Sequence, residues 1–273
     1  MSAAREFHFE DTDFDYIRDV IGSHTGIVLS DAKRNMVYSR LSRRLRALNL
    51  NTFTDYCNLL REEDETELIN FINAITTNLT SFFREKHHFE YLEKALIPKF
   101  LQENTNKRIR IWSAGCSTGE EPYTIAMVLK ESIPNIKTWD VKILATDLDS
   151  NVVATAKAGI YTAERIEGIS PALKKRWFTK NDDKVQVSSE LKELITFNQL
   201  NLMHQWPFKG PFDLVFCRNV VIYFSKDTQR ELVTRYADYT RDDGHLFLGH
   251  SESLFKVTDR YKLLRNTMYQ KVK

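Results

Sequence analysis

A glycine-containing segment followed by two glutamates carries the strongest chemical signal in this sequence. An apolar run leads into residues 113–123, which read Ser-Ala-Gly-Cys-Ser-Thr-Gly-Glu-Glu-Pro-Tyr. Gly115 and Gly119 can adopt backbone angles closed to other residues, which lets a ligand lie against the main chain at the start of a helix. Structural turns use glycine in the same way, so the spacing alone is weak. With its flanking runs, the segment predicts a nucleotide pocket between a strand and a helix.

The charge beside this turn indicates the kind of ligand. Glu120 and Glu121 repel a pyrophosphate, whereas a ligand that carries a cationic amino acid and a sulfonium is attracted. The sequence therefore favours S-adenosylmethionine over NAD.

A second apolar strand, residues 141–147, ends in an acidic side chain. In doubly wound nucleotide sites a carboxylate at this point accepts hydrogen bonds from the ribose hydroxyls, and this predicts that Asp147 binds the ligand. The alternative is that Asp147 only caps the next helix. We expect Asp149 or Ser150 to be the cap.

Composition places the chain among globular proteins. Its 273 residues are 42% hydrophobic and 28% charged, with a formal net charge of +2. No apolar run approaches the roughly 20 residues of a membrane span, and no signal-peptide pattern is visible. Cys57, Cys116 and Cys217 are too few and too scattered for a zinc site or a disulfide framework, so no metal is expected. We expect a cytoplasmic protein without membrane insertion.

Hydrophobic periodicity divides the chain into two parts. Before the glycine turn it predicts only helices, at about 13–22, 31–48, 52–61, 64–78 and 85–103, with Thr52 as a cap. From about residue 108 strands and helices alternate, which is typical of a sheet covered on both faces. The expected domains are 1–83, all-helical, and 84–273, α/β. Residues 161–196 form a small antiparallel insertion in the second domain.

Polar residues follow the later strands of this predicted sheet. Asn201 offers the donor and acceptor that an adenine edge needs, and Leu202 offers an apolar lid; a turn-forming Asn is the alternative. An Arg-Asn pair at 218–219 interrupts an apolar run, and burying it without purpose would cost several kcal/mol. Tyr223, about one helical turn later, can reach the same cleft.

A polar cluster at residues 76–85 lies where the two parts of the chain join. Helix capping by Asn78 or Thr80 explains part of this cluster, but it does not explain Arg84.

A basic helix lies in the amino-terminal part. Val37, Leu41 and Leu45 form its inward face, while Arg40, Arg43 and Arg46 lie on the other side. Such arginines are most often a solvated face. The functional alternative is a docking surface for an acidic partner.

Several of these motifs together resemble the chemotaxis receptor methyltransferases of the CheR type. The resemblance covers nearly the whole chain in the same order, through Thr76–Phe89, Trp112–Tyr123, Asn201–Leu202, Phe216–Phe224 and Gly249–Ser253. It implies an α/β fold: a Rossmann-like S-adenosylmethionine-dependent methyltransferase domain with a small inserted antiparallel β-subdomain, preceded by an all-α amino-terminal domain. It also implies an enzyme that forms glutamyl methyl esters on the cytoplasmic helical bundle of chemoreceptors, leaving S-adenosylhomocysteine as product.

The resemblance also implies roles for individual residues. Arg84 and Tyr223 would lie nearest the transferred methyl group, and Glu121, rather than Glu120, would meet the methionine end. The basic helix would face the acidic receptor bundle, which recruits the enzyme to membrane-bound receptor arrays. The residues implied to line the cofactor site are Asn78, Thr80, Arg84, Glu121, Asp147, Asn201, Leu202, Cys217 and Arg218.

Two further expectations concern the binding of a receptor tether by the insertion and the need for a general base in the reaction. Family members that hold a receptor tether peptide tend to have glycines in the turn of the inserted sheet, whereas residues 180–184 here are Lys-Asn-Asp-Asp-Lys. We therefore expect recognition of the receptor bundle without the tether. A glutamate is already ionised at neutral pH, so in-line attack on the sulfonium methyl needs no general base.

Two other functions remain open from the sequence. A nucleic-acid methyltransferase would use the arginine helix along phosphates, but the net charge is small and no Asn/Asp-Pro-Pro-aromatic motif occurs. A non-catalytic module would bind the cofactor and act as a scaffold or sensor. Polar residues at every strand end argue against that module, although they indicate binding more directly than turnover.

Overall fold

The computed structural model describes residues 5–273, and their contacts define two compact units. One unit comprises the residues up to Thr77 together with Tyr223–Ser225; the other comprises Asn78–Ile222 and Lys226–Lys273. Residues 78–83, which the sequence placed with the helical domain, therefore group with the second unit. The limits of the functional domains stay predictions.

The first unit is helical, as the periodicity predicted. Its helices are α1 (Asp11–Thr25), α2 (Arg34–Leu48, preceded by a 3₁₀ turn), α3 (Phe53–Arg61) and α4 (Glu65–Ile75). Thr52 caps α3, since its side chain accepts a hydrogen bond from the Asp55 amide at 3.0 Å. Burying one apolar stripe of each helix forms a separate core, which includes Phe14, Ile17, Val37, Leu41, Leu45, Phe53 and Phe71.

The second unit alternates strands and helices. Its helices are α5 (His87–Tyr91), α6 (Ile97–Glu103), α7 (Glu120–Ser132), α8 (Ser150–Ala158), α9 (Pro171–Trp177), α10 (Ser189–Lys192) and α11 (Lys226–Tyr239), with a π-helical turn between α5 and α6. Its strands are β1 (Arg108–Ala114), β2 (Asp140–Asp147), β3 (Ile160–Thr162), β4 (Phe178–Asn181), β5 (Lys184–Val187), β6 (Ile195–Gln199), β7 (Phe212–Cys217), β8 (Thr240–Leu248), β9 (Tyr261–Arg265) and β10 (Met268–Lys271).

Seven of these strands form one mixed sheet in the order β6-β2-β1-β7-β8-β10-β9. The first five are parallel, and the β9–β10 pair closes the sheet antiparallel. A second sheet, β3-β5-β4, is small and antiparallel. The predicted α/β fold with an antiparallel insertion is confirmed.

Strand order determines where a ligand can bind. From β1 the chain proceeds to β2 and β6 on one side and later to β7 and β8 on the other. Such a reversal opens a crevice outside the carboxyl ends of the central strands. The glycine turn follows β1, Asp147 ends β2, and Arg218 follows β7, so the topology brings these three positions to one edge. Within residues 5–273, no helix is both long enough and apolar enough to cross a bilayer.

Candidate active site at the carboxyl edge of the sheet

The turn after β1 needs both of its glycines because neighbouring side chains crowd it. Gly115 and Gly119 have φ values of +110° and +97°. A Cβ at position 119 would lie 2.9 Å from the Ala156 Cβ and 3.0 Å from the Tyr161 hydroxyl, and one at position 115 would lie 2.3 Å from the Val220 Cγ2. Internal packing therefore accounts for the glycines, in addition to any ligand.

Asp147 is fixed beside this turn. Its carboxylate accepts hydrogen bonds from the backbone amides of Ser117 at 2.7 Å and Asp149 at 3.1 Å. Burial raises the pKa of Asp147 to about 6, although these amides favour its ionised form. The carboxylate is thus held at the end of β2 by two backbone amides.

The next aspartate joins the turn to the segment before α5. Asp149 is the N-cap of α8, as predicted, and accepts from the Asn151 amide at 2.9 Å. Its second oxygen accepts from Asn78 Nδ2 at 2.7 Å, and the Asn78 carbonyl accepts from the Ser117 hydroxyl at 2.8 Å. Asn78 therefore lies against the glycine turn. Thr80 is half-buried two residues later.

The two glutamates at the start of α7 point to different partners. Glu121 accepts from the Ser113 hydroxyl at 2.7 Å and from Arg218 Nη1 at 2.9 Å. Glu120 forms an ion pair with Arg165 of the inserted segment. Burial raises the pKa of Glu121, while Arg218 and Ser113 oppose the shift. Only Glu121 faces the Arg218 side of the sheet edge.

Arg218 is a buried cation between two carboxylates. Its side chain is 3% exposed and lies 2.9 Å from Glu121 and 3.4 Å from Glu85, and it also donates to the Arg84 carbonyl. A buried charge needs such partners, because removing one leaves the other uncompensated. A neighbouring acid and base also match a zwitterionic amino acid, whose carboxylate and ammonium seek opposite charges. These residues fit the methionine end of S-adenosylmethionine.

Arg84 is held by the main chain and by an amide. Its Nη1 donates to the Leu79 carbonyl at 2.7 Å, and its Nη2 donates to Asn219 Oδ1 at 2.9 Å. Asn219 also lies near Glu85 through its Nδ2, at 3.4 Å. Burial alone would raise the pKa of Glu85, but the hydrogen bonds from His250 and the charge of Arg218 outweigh it and lower the pKa to about 2.

A buried glutamate organises the loop after β7. Glu252 is 4% exposed, and its Oε2 accepts from the amides of Asn219 at 2.8 Å and Gly249 at 2.6 Å. Its Oε1 accepts from the Ile222 amide at 3.2 Å. One side chain thus joins the end of β8 to the loop that carries Arg218 and Asn219.

Three other predicted site residues, Asn201, Leu202 and Cys217, make contacts within the protein itself. The Asn201 side chain forms a turn, since its Oδ1 accepts from the Met203 amide at 2.9 Å. Leu202 is buried, and its carbonyl accepts from Arg235 at 2.7 Å. Cys217 is fully buried, and its sulfur accepts from the Tyr236 hydroxyl at 3.2 Å. The turn-forming reading of Asn201 is therefore observed, and the three binding roles stay predictions.

The remaining predicted residues lie in the helical unit. Tyr223 belongs to it, and its carbonyl accepts from the Val28 amide at 2.8 Å. Arg40 is half-buried and donates to the carbonyls of Ile75 at 2.5 Å and Thr76 at 2.6 Å, at the end of α4. Burial lowers the pKa of Arg40, and the nearby Tyr223 opposes this shift.

The other two arginines that were predicted to form the docking surface, Arg43 and Arg46, are exposed. Arg46 pairs with Glu6 at 3.2 Å. Arg43 makes no hydrogen bond or ion pair with any residue in the range 5–273. The predicted basic surface is therefore carried by Arg43 and Arg46 more than by Arg40, which is bound within its own unit.

Sequence reasoning missed several residues of this network. Glu252 lies in the segment 249–253 that carries the family resemblance, and Glu85 adjoins Arg84, so both had a signal in the sequence. Arg165 lies in a polar stretch of the insertion and had none. Its role depends on a contact with a residue 45 positions away.

Comparison with known proteins identifies the class of protein to which this site belongs. A model described as the CheR methyltransferase all-alpha domain matches residues 12–76, and one described as the CheR methyltransferase SAM binding domain matches residues 78–270. The protein is an S-adenosylmethionine-dependent methyltransferase, in agreement with the acidic edge and the glycine turn.

The chain belongs to the CheR methyltransferase family. A probable chemotaxis protein methyltransferase of Rhizobium etli is 46% identical over 239 residues, which cover 85% of this chain and 89% of the relative. Chemotaxis protein methyltransferase 2 of Pseudomonas aeruginosa is 44% identical, with coverage of 97% and 95%. The chemotaxis protein methyltransferase of Escherichia coli is 41% identical, with coverage of 95% and 90%.

Proposed function

We propose that this enzyme transfers a methyl group to glutamate side chains on the cytoplasmic helical bundle of chemoreceptors, forming methyl esters that mediate adaptation in bacterial chemotaxis. The names of relatives at 41–46% identity support a role in chemotaxis. The observation that carries the donor assignment is the buried Glu121–Arg218 pair beside Asp147, which matches a zwitterionic end and a ribose.

The donor site would use residues from five places along the second unit. Asp147 would accept from the ribose hydroxyls, and Glu121 with Arg218 would hold the methionine end. Asn78 and Thr80 would line the side nearest the glycine turn, and Asn201 with Leu202 would contact the adenine. Cys217 lies with its side chain turned into the core, so only its backbone is suited to a ligand contact.

The reaction requires the protein to align the donor and the acceptor, and it requires no general base. A glutamate side chain has a pKa near 4.3 and is ionised at neutral pH. When bound, the donor would supply a methyl group on a positively charged sulfur. A carboxylate oxygen would bond to this methyl carbon in line as the sulfur–carbon bond breaks, and S-adenosylhomocysteine would leave. Arg84, fixed by Leu79 and Asn219, would orient the reacting groups, and Tyr223 would shape the methyl end. Alignment at about 3 Å is then the main task.

The basic helix α2 would meet the receptor. Arg43 is exposed and unpaired among residues 5–273, so it can bind an acidic side chain without breaking an internal contact. Arg46 would exchange its exposed contact with Glu6, which contributes little to stability. Arg40 would support the surface from below. Such a surface would recruit this enzyme to membrane-bound receptor arrays without insertion into the membrane.

The decisive test incubates the enzyme with methyl-labelled donor and a purified receptor cytoplasmic domain. We expect label on the receptor that is released by mild base, as methyl esters are, and no label when the receptor glutamates are replaced by glutamine. Donor binding without receptor label would instead support a scaffold. Strong, salt-sensitive retention of nucleic acid, with label on it, would support a nucleic-acid methyltransferase.

Variants test the individual roles. Arg84→Ala and Tyr223→Phe should lower turnover while retaining the fold, and wild-type rates in both would remove these assignments. Arg43→Glu should weaken receptor binding about fivefold, which corresponds to about 1 kcal/mol for one exposed ion pair. Lys137→Glu is the matched control, because Lys137 is exposed just before β2 in the other unit, where no receptor-docking role is proposed. Equal weakening in both variants would contradict a specific role for α2.

A further inference from the structure

The inserted segment reaches the glycine turn with two side chains. Tyr161, in β3, donates its hydroxyl to the Thr118 carbonyl at 2.6 Å. Arg165, in the 3₁₀ turn that follows β3, donates to the Thr118 hydroxyl at 3.1 Å and pairs with Glu120. The insertion therefore holds the carbonyl and the hydroxyl of Thr118 and the side chain of Glu120, the first residue of α7.

Glu120 depends on this contact. Its side chain is 0% exposed, and within residues 5–273 Arg165 is its only ion-pair partner. The Thr118 hydroxyl also donates to Glu120, at 2.7 Å. A buried carboxylate without a cation is strongly unfavourable. Arg165 thus keeps Glu120 turned toward the insertion, while its neighbour Glu121 pairs with Arg218.

Tyr161 contacts the turn and a second part of the donor site. A Cβ atom at position 119 would lie 3.0 Å from the Tyr161 hydroxyl, so this hydroxyl lies directly against Gly119. Its ring packs edge-on against Phe82 at 5.2 Å, and Phe82 lies in the segment that carries Thr80 and Arg84. The tyrosine is 4% exposed, so these contacts are part of the packed core.

We propose that Tyr161 and Arg165 are positioning residues, which hold the turn 115–120 in the conformation that binds the methyl donor. The inserted subdomain is then part of the donor site and not only an attached surface. This inference rests on the proposed placement of the donor at the turn and Asp147.

The chain offers a matched control for Arg165. Arg176, in α9 of the same insertion, pairs with Glu131 at 3.0 Å. Glu131 lies near the carboxyl end of α7, whereas Glu120 begins the same helix. Both pairs therefore join the insertion to α7, but only the Arg165 pair adjoins the glycine turn. A general loosening of the insertion should follow from either substitution.

The test compares donor affinity, measured by calorimetry, with thermal stability and steady-state kinetics. Arg165→Ala should raise the Kd for S-adenosylmethionine about tenfold, as for loss of a coupled pair, and Arg165→Lys should recover part of it. Arg176→Ala should leave the Kd unchanged. The KM for the donor should rise in Arg165→Ala while kcat at saturating donor is retained, a split that plain destabilisation would not produce.

Further variants separate the possible failures. If Arg165→Ala does not fold, Tyr161→Phe removes only the hydrogen bond to Thr118 and should raise the Kd in the same direction by a smaller factor. A wild-type Kd in the folded variants, or an equal rise in Arg176→Ala, overturns the inference. If Asp147→Asn also binds the donor normally, the proposed donor site itself fails; if Asp147→Asn loses affinity and Arg165→Ala does not, only the positioning role fails.

Discussion

Replacing Glu252 by glutamine tests whether one buried carboxylate holds the loop after β7. The two side chains have nearly the same shape, but glutamine has one acceptor oxygen and one amino group. Glu252 accepts from three backbone amides, two at Oε2 and one at Oε1. With its oxygen at the Oε2 position, glutamine keeps the bonds to the Asn219 and Gly249 amides. Its side-chain NH₂ group then faces the Ile222 backbone N–H, and because both groups are donors this amide has no acceptor.

The expected cost follows from this mismatch. Leaving one buried amide without an acceptor costs about 2 kcal/mol, and Glu252→Ala, which removes all three bonds, costs at least twice as much. For a domain of this size each kcal/mol lowers the Tm by about 2–4 °C, so Glu252→Gln should melt about 4–8 °C below wild type. Burial raises the pKa of Glu252 while the amides oppose that shift. Neutral glutamine is easier to bury than an ionised carboxylate, so the loss arises from the unmatched Ile222 amide and not from removal of the charge.

Thermal unfolding of the purified enzyme measures this effect. Glu231→Gln is the control, because Glu231 lies exposed on α11 and makes no contact of this kind within residues 5–273. Donor affinity and methyl transfer should both fall if the loop shifts, since it carries Arg218 of the proposed donor site and Asn219, the partner of Arg84. A Glu252→Gln variant that melts with the control and keeps full turnover would refute the reasoning.

Three more outcomes are expected. Burial raises the pKa of Asp147 to about 6. In the proposed site its ionised form would accept from the ribose hydroxyls, so calorimetric donor affinity should rise as pH increases through 6, and Asp147→Asn should remove this dependence. Glu85 has a lowered pKa of about 2 against 4.5, so its contribution to the free energy of unfolding is present above pH 4.5 and lost as pH falls toward 2; urea titrations of Glu85→Gln should lack this loss. Gly119→Ala should cost about 1–3 kcal/mol from its positive φ, plus a clash with Ala156, and retention of wild-type Tm and donor affinity would contradict the crowding of the turn.

Much of the fold was predictable because its signals are local. Helical periodicity and the Thr52 cap marked the helices of the first unit, and the strand predicted at 141–147 is observed as β2 (Asp140–Asp147). The cap of α8 was predicted at Asp149 or Ser150, and the structure has Asp149 there. Such patterns depend on neighbours a few residues away, which the sequence displays directly.

The direction of the charged side chains was decided only by tertiary structure. Glu120 and Glu121 are adjacent and identical in type, yet one pairs with a residue 45 positions away and the other with a residue 97 positions away. Periodicity places Arg40 on the exposed face of α2, but its side chain donates hydrogen bonds to the Ile75 and Thr76 carbonyls at the carboxyl end of α4. The sequence by itself determined which chemical groups reach the carboxyl edge of the sheet. Which of them pair with each other depends on burial, because a charge removed from water must take the nearest opposite partner that the fold supplies.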